Sequence, residues 1–166
     1  MFKFSEMIGL AAICISTGKK VGTVKDVIFI SDTGKIVAIL LTHKKMLTKC
    51  RAVLMENVIK IGKSAVLLND ESNVITEDKI PKENNAKRFL AEVAEKPVYT
   101  DNGISIGAVH DAIFDYEIGI LEGIELSDGI AQDIIEGRKI VPITESIHLE
   151  QGIVILENKM IPKLKH

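Results

Sequence analysis

The sequence predicts an all-β fold: two tandem small β-barrels with approximate two-fold pseudo-symmetry and a short helical linker. Three observations carry the prediction. The phrase VGTVKDVIF at Val21–Phe29 returns as IGAVHDAIF at Ile106–Phe114, 85 positions later. That offset runs without a gap from Ile13 against Val98 to Thr42 against Ser127, superposing Gly18 on Gly103, Gly22 on Gly107, Asp26 on Asp111 and Gly34 on Gly119. With aromatic content of only 4 % and no Trp, the core must come from Ile, Val and Leu, side chains that pack best on pleated strands. Turn residues also recur at short, near-regular intervals, the spacing of a small barrel or sandwich. Barrel closure would hide edges that a lone sheet leaves sticky.

Taken in order, AAICIS at Ala11–Ser16 reads as the first strand and enters a hairpin through Thr17-Gly18; its counterpart turns through Asn102-Gly103, dipeptides suited to positive φ at both central residues. The next strand starts at Val21 or Ile106. Gly22 and Gly107 inside it mark a bulge or a close backbone approach. Strand continues through Val24, Val27 and Phe29 until Asp32-Thr33-Gly34 turns it back into KIVAILLT; in the second copy Glu117-Ile118-Gly119 makes a less usual turn. A variable loop, RAVLM, VIKI and AVLL complete the first copy. MENVIKIGKSAVLL at Met55–Leu68 matches ITESIHLEQGIVIL at Ile143–Leu156 with the offset grown to 88, so three residues were added between Ser127 and Ile143. Loops absorb such insertions cheaply.

The domain reading is therefore residues 1–80 for the first barrel, 81–95 for the linker and 96–166 for the second. Phe89, Leu90 and Val93 give the linker one apolar helical face over Asn84–Glu95. AEVAEK at 91–96 falls opposite EMIGLA at 6–11, so a short helical turn is expected before each barrel.

Composition bounds the function. Hydrophobic content of 46 % and charged content of 27 % are globular values, which excludes a chain too polar to fold. A net charge of −2 argues against a surface that coats nucleic acid, which needs a basic excess. Cys14 and Cys50 lack the spacing of a metal site and read as buried thiols in a reducing cytoplasm. The apolar run Met7–Ile15 follows Lys3, but Glu6 interrupts the transition between them, no small-residue cleavage pattern follows, and the run is shorter than a membrane span.

The signature STGKKVGTVKDVIFISDTGKIVAILL, repeated as DNGISIGAVHDAIFDYEIGILEGIEL and followed each time by a late strand segment, resembles the PRC-barrel family. That family is named for the H subunit of the photosynthetic reaction centre and shared with the C-terminal domain of the ribosome maturation factor. The resemblance spans almost the whole chain. It implies a tandem PRC-barrel protein used for protein–protein contact, with no catalytic residues to carry over. A ribosome- or RNA-processing-associated factor and a membrane-complex-associated assembly factor are the alternatives it leaves open.

Candidate residues fall into two groups. Gly18, Gly22, Asp26, Gly34, Gly103, Gly107, Asp111 and Gly119 are structural: the aspartates, inside apolar strands and without a His, Ser or Cys at useful spacing, are expected to cap turns or accept backbone N–H groups. The variable loops are the expected partner-binding surface. Lys44, Lys45, Met46, Leu47, Lys49 and Arg51 make the first one basic with an apolar centre. Ile130, Asp133, Ile134 and Glu136 make its counterpart acidic and apolar, so the two could attract each other or a second chain. His43, His110, His148 and His166 are too scattered to hold a metal, and His110 and His148 replace Lys25 and Lys60 as on a solvated face. The TGKK fragment at Thr17–Lys20 lacks the glycine of a phosphate loop. No cofactor is expected, and no enzyme activity.

Overall fold

The computed structural model describes residues 2–42, 50–127, 139–143, 147–150 and 152–157. Strands dominate. In the first half β2 (Ala11–Cys14), β3 (Lys20–Ile30), β4 (Ile36–Thr42), β5 (Arg51–Leu54), β6 (Val58–Ile61), β7 (Ala65–Leu68) and β8 (Val74–Thr76) form one sheet in the order β6-β7-β2-β3-β4-β5-β8. In the second, β10 (Pro97–Thr100), β11 (Ser105–Asp115), β12 (Ile120–Ser127), β13 (Lys139–Pro142), β14 (Ile147–Glu150) and β15 (Ile153–Leu156) run β13-β12-β11-β10-β15-β14. Apart from β8, the path is the same in both. The β2–β7 and β10–β15 pairs are parallel and the other neighbours antiparallel. Among the described residues neither sheet closes as a complete hydrogen-bonded ring, so each barrel is approximate.

The alternation of apolar and polar residues explains why the long strands hold their register. In β3, Val21, Val24, Val27 and Phe29 are buried while Lys20 and Lys25 face out. The register shifts once between Val24 and Asp26 and again between Ile28 and Phe29. β11 repeats both irregularities, between Val109 and Asp111 and between Ile113 and Phe114. A bulge bends and twists the strand that carries it, which lets an eleven-residue strand wrap around a small core.

The halves are not joined by a simple linker; they exchange their leading segments. β1 (Phe2–Lys3) pairs with β11 of the second barrel, Phe2 opposite Phe114. Reciprocally, β9 (Ala86–Arg88) pairs with β3 of the first barrel, Lys87 opposite Phe29. Each is followed by one turn of helix, α1 (Phe4–Met7) and a π-helical turn at Phe89–Val93. The helical face drawn over Asn84–Glu95 is thus a strand plus that turn: Phe89 and Val93 are buried, whereas Leu90 is 49 % exposed because the wider turn swings it outward.

Two one-residue changes also correct the gapless alignment. Phe4 corresponds to Phe89, but Glu6, which accepts from the Lys3 N–H, corresponds to Glu92, which accepts from the Arg88 N–H. The π turn contains the extra residue. From there Gly9 stands opposite Glu95, both left-handed at φ +84° and +63°, and Ala12 rather than Ile13 matches Val98, each facing the same neighbours in its sheet. The hairpin Thr100–Gly103 is one residue shorter than Cys14–Gly18 and restores the offset. In these hairpins only Gly18 and Gly103 have positive φ; Thr17 and Asn102 do not, so the turns use a single left-handed residue.

A single apolar cluster runs through both barrels. At its centre the Phe4 and Phe89 rings meet edge-on with centroids 4.7 Å apart. The two hairpin tips also cross: Leu121 N–H donates to the Gly34 carbonyl at 2.7 Å and Ile36 N–H to the Gly119 carbonyl at 2.8 Å. Lys35 and Ile120 form a lone antiparallel bridge between them. These pairs are mutual images, so the pseudo-dyad passes between them. Gly34, at φ +71°, is forced by this crossing, since a Cβ would stand 2.1 Å from the Leu121 carbonyl oxygen.

Candidate interaction site

The two in-strand aspartates hold the exchange. Asp26 is buried; its carboxylate accepts N–H bonds from Val27 at 2.8 Å, Leu90 at 2.8 Å and Ala91 at 3.2 Å, the last two from the leading segment of the second half. Asp111 accepts from Ala112 N–H at 2.8 Å, Ser5 N–H at 3.1 Å and Ser5 Oγ at 2.5 Å, the serine belonging to the leading segment of the first half. Each carboxylate caps the helical turn that crosses onto it, which is why an acid sits inside an apolar strand. Burial pushes the Asp26 carboxyl above its ordinary 3.8, with the three N–H donors and Arg88 pulling the other way. Charge follows the crossing as well. Lys3 Nζ lies 2.6 Å from the buried Glu125 Oε2, and Arg88, the counterpart of Lys3, pairs with Glu77.

Beside the dyad, between the two halves, lies a groove of about 670 Å³. The tip of the second barrel's hairpin, Tyr116–Gly119, forms one wall and Met55, Val58 and Ile59 of the first barrel the other. Tyr116 is braced edge-on by Phe2 at 4.9 Å. Asp115 Oδ1 accepts from the N–H groups of Glu117 and Ile118, an aspartate turn that allows this hairpin to form without the usual turn residues. Ile118 is thereby held 65 % exposed, and Ile59 is 54 % exposed. Lys35, Lys60, Glu56, Glu83 and Glu117 rim the groove with both signs of charge. An apolar centre within a polar rim is the composition of a protein-binding surface.

Lys44, Lys45, Met46, Leu47 and Lys49, and Ile130, Asp133, Ile134 and Glu136, fall outside the described residues. Arg51 is described and is a half-buried β5 residue, its Nη1 donating to the Val21 carbonyl at 3.5 Å. His110 and His148 are exposed, whereas His43 and His166 lie outside the described residues. Cys14 is buried and Cys50 only half-buried, both as free thiols. The groove residues Tyr116 and Ile118 carried a readable signal: the first copy places Ser31 and Thr33 there, so two turn positions become aromatic and aliphatic in the second. Among the described residues no helix is long and apolar enough to cross a membrane.

Comparison with known proteins agrees with the geometry. The family model for the PRC-barrel domain matches twice, over residues 1–74 and 87–159, and the chain belongs to that family as a tandem of two such domains. No curated protein is similar enough to match.

Proposed function

We infer that this protein is a non-enzymatic adaptor or scaffold that binds another protein through the groove between the Tyr116–Gly119 turn and the first barrel. The carrying observation is the pair of exposed isoleucines, Ile59 and Ile118, facing one recess from different halves. PRC-barrel domains often mediate protein interactions, and the depth and rim of this recess suit an inserted side chain of a partner. A cytoplasmic setting accords with the free thiols of Cys14 and Cys50.

A photoreactive amino acid placed at Ile118, and separately at the pseudo-equivalent Thr33, tests the reading in cells. Position 118 is expected to capture a discrete partner that position 33 does not, and Ile118→Asp, which is surface-exposed, to abolish its co-purification without changing the melting temperature. Identical captures at both positions, or none at 118, would refute the groove as the docking site.

A further inference from the structure

The second barrel carries an acid that the first lacks. Asp26 has Leu40 as its cross-strand neighbour, but Asp111 has Glu125, so two carboxylates stand side by side on one face of β11 and β12. Both are buried. Like charges so placed repel, and a buried carboxylate is costly unless a cation or hydrogen-bond donors reach it. The leading segment of the first half brings both. Ser5 donates to Asp111 from its N–H and its hydroxyl, and Lys3 Nζ comes within 2.6 Å of Glu125 Oε2. Lys3 sits on β1 opposite Ile113; its neighbour Phe2, opposite Phe114, meets the Tyr116 ring edge-on with centroids 4.9 Å apart. Tyr116 in turn belongs to the groove wall. One line of contacts therefore runs from a buried carboxylate to the docking surface.

Resting on the adaptor reading above, we propose that Lys3 is a positioning residue for the groove: its ammonium on Glu125 keeps β1 seated, and seated β1 holds Tyr116, through Phe2, where a partner protein meets it. β1 is the piece that can move. The residues after it are anchored, since Phe4 and Met7 are buried and Phe4 packs on Phe89. Its own ladder is two residues long, a length at which side-chain contacts decide whether a strand stays paired. The counterpart β9 has three ladder residues, its cation Arg88 pairs with Glu77, and Leu40 stands where Glu125 does. The first half therefore seats its crossing strand without an acid beneath it, whereas the second makes seating depend on the charge of one half-exposed lysine. Removing that charge frees the aromatic wall of the groove while the frame stays folded.

The test is fluorine NMR on the full chain labelled with 3-fluorotyrosine, in which Tyr116 is the probe and Tyr99, the other tyrosine, the internal control. Phe2→Ala fixes where the freed Tyr116 line falls. Lys3→Met, which keeps the stem and removes the charge, is expected to move the Tyr116 line to that position with the Tyr99 line unmoved, and to lose the capture at Ile118. Lys3→Arg is expected to keep both. Adding Glu125→Leu to Lys3→Met gives the second barrel the residue of the first and is expected to restore both, because exchanging a buried ion pair for apolar side chains is often neutral. Four outcomes overturn the proposal: a Tyr116 line that Lys3→Met leaves in place, both tyrosine lines moving together, a double variant that stays at the Phe2→Ala position, or capture that persists while the line moves. Absence of capture in the wild type instead overturns the adaptor reading, and the fluorine lines still report whether Lys3 holds the wall.

Discussion

Asp26 and Asp111 occupy the same point of the same long strand, and each closes on the leading segment of the opposite half, but with different donors. Asp26 takes two crossing main-chain N–H groups from a π turn; Asp111 takes one main-chain N–H and the Ser5 hydroxyl from an α turn. Around them the halves keep alike whatever the dyad needs: the phenylalanine pair, the crossed hairpin tips and the doubly irregular long strand. They diverge where they face outward. Tyr116 and Ile118 replace Ser31 and Thr33. Duplication thus gave two equivalent frames, with the inward residues held by mutual packing and the outward ones free to specialise.

The severest break of this comparison is to separate the halves. A chain cut at Lys82 leaves each fragment without the segment that completes its sheet, and a domain of this size has little core to spare. Either fragment expressed alone is expected to lack a cooperative melting transition, while the two co-expressed fragments co-purify; a folded, monomeric 1–82 fragment in circular dichroism would contradict the exchange. Truncating the central pair comes next. Phe4→Ala and Phe89→Ala should each cost about 3–5 kcal/mol in urea denaturation, and the double variant less than the sum because the rings touch each other. Additive losses would show that the rings do not share a contact.

The latches are smaller and sharpen the difference between the halves. Asp26→Ala strips three buried or half-buried N–H groups of their acceptor and should cost about 2–4 kcal/mol at neutral pH. Because burial raises the Asp26 pKa, the folded chain binds more protons there than the unfolded chain between pH 3.8 and the raised value. The contribution of this group to stability therefore falls as pH rises through that window and is level above it. The stability of wild type minus that of Asp26→Asn should decline with pH across the same interval; a difference that grows would mean the N–H donors outweigh burial. Smallest is the turn before β10. Glu95 holds the left-handed conformation that Gly9 holds in the first half, so Glu95→Gly should stabilise by about 0.5–1 kcal/mol. A loss of stability would reveal a side-chain contact that the glycine half lacks.

By itself the sequence determined the repeated strands, the duplication and the family, because all three are local or self-similar: the apolar pattern along β3 and β11, glycines at the tips, and one phrase written twice; it missed β1, β8 and β9, which are only two or three residues long. It did not reveal that the leading segments cross, because Phe2–Lys3 pairs about 110 positions away and Ala86–Arg88 about 60, each in the opposite copy, and strand pairing of that range leaves no trace in local periodicity. Nor did it reveal the true equivalences between Phe4 and Gly18, since one residue gained in the π turn and one lost in the next hairpin cancel in the numbering. Only tertiary structure could make Asp26 a cap for Leu90 and Ala91 and bring Ile59 and Ile118 to one recess, because those contacts exist only once two separately encoded frames have closed on each other around the dyad.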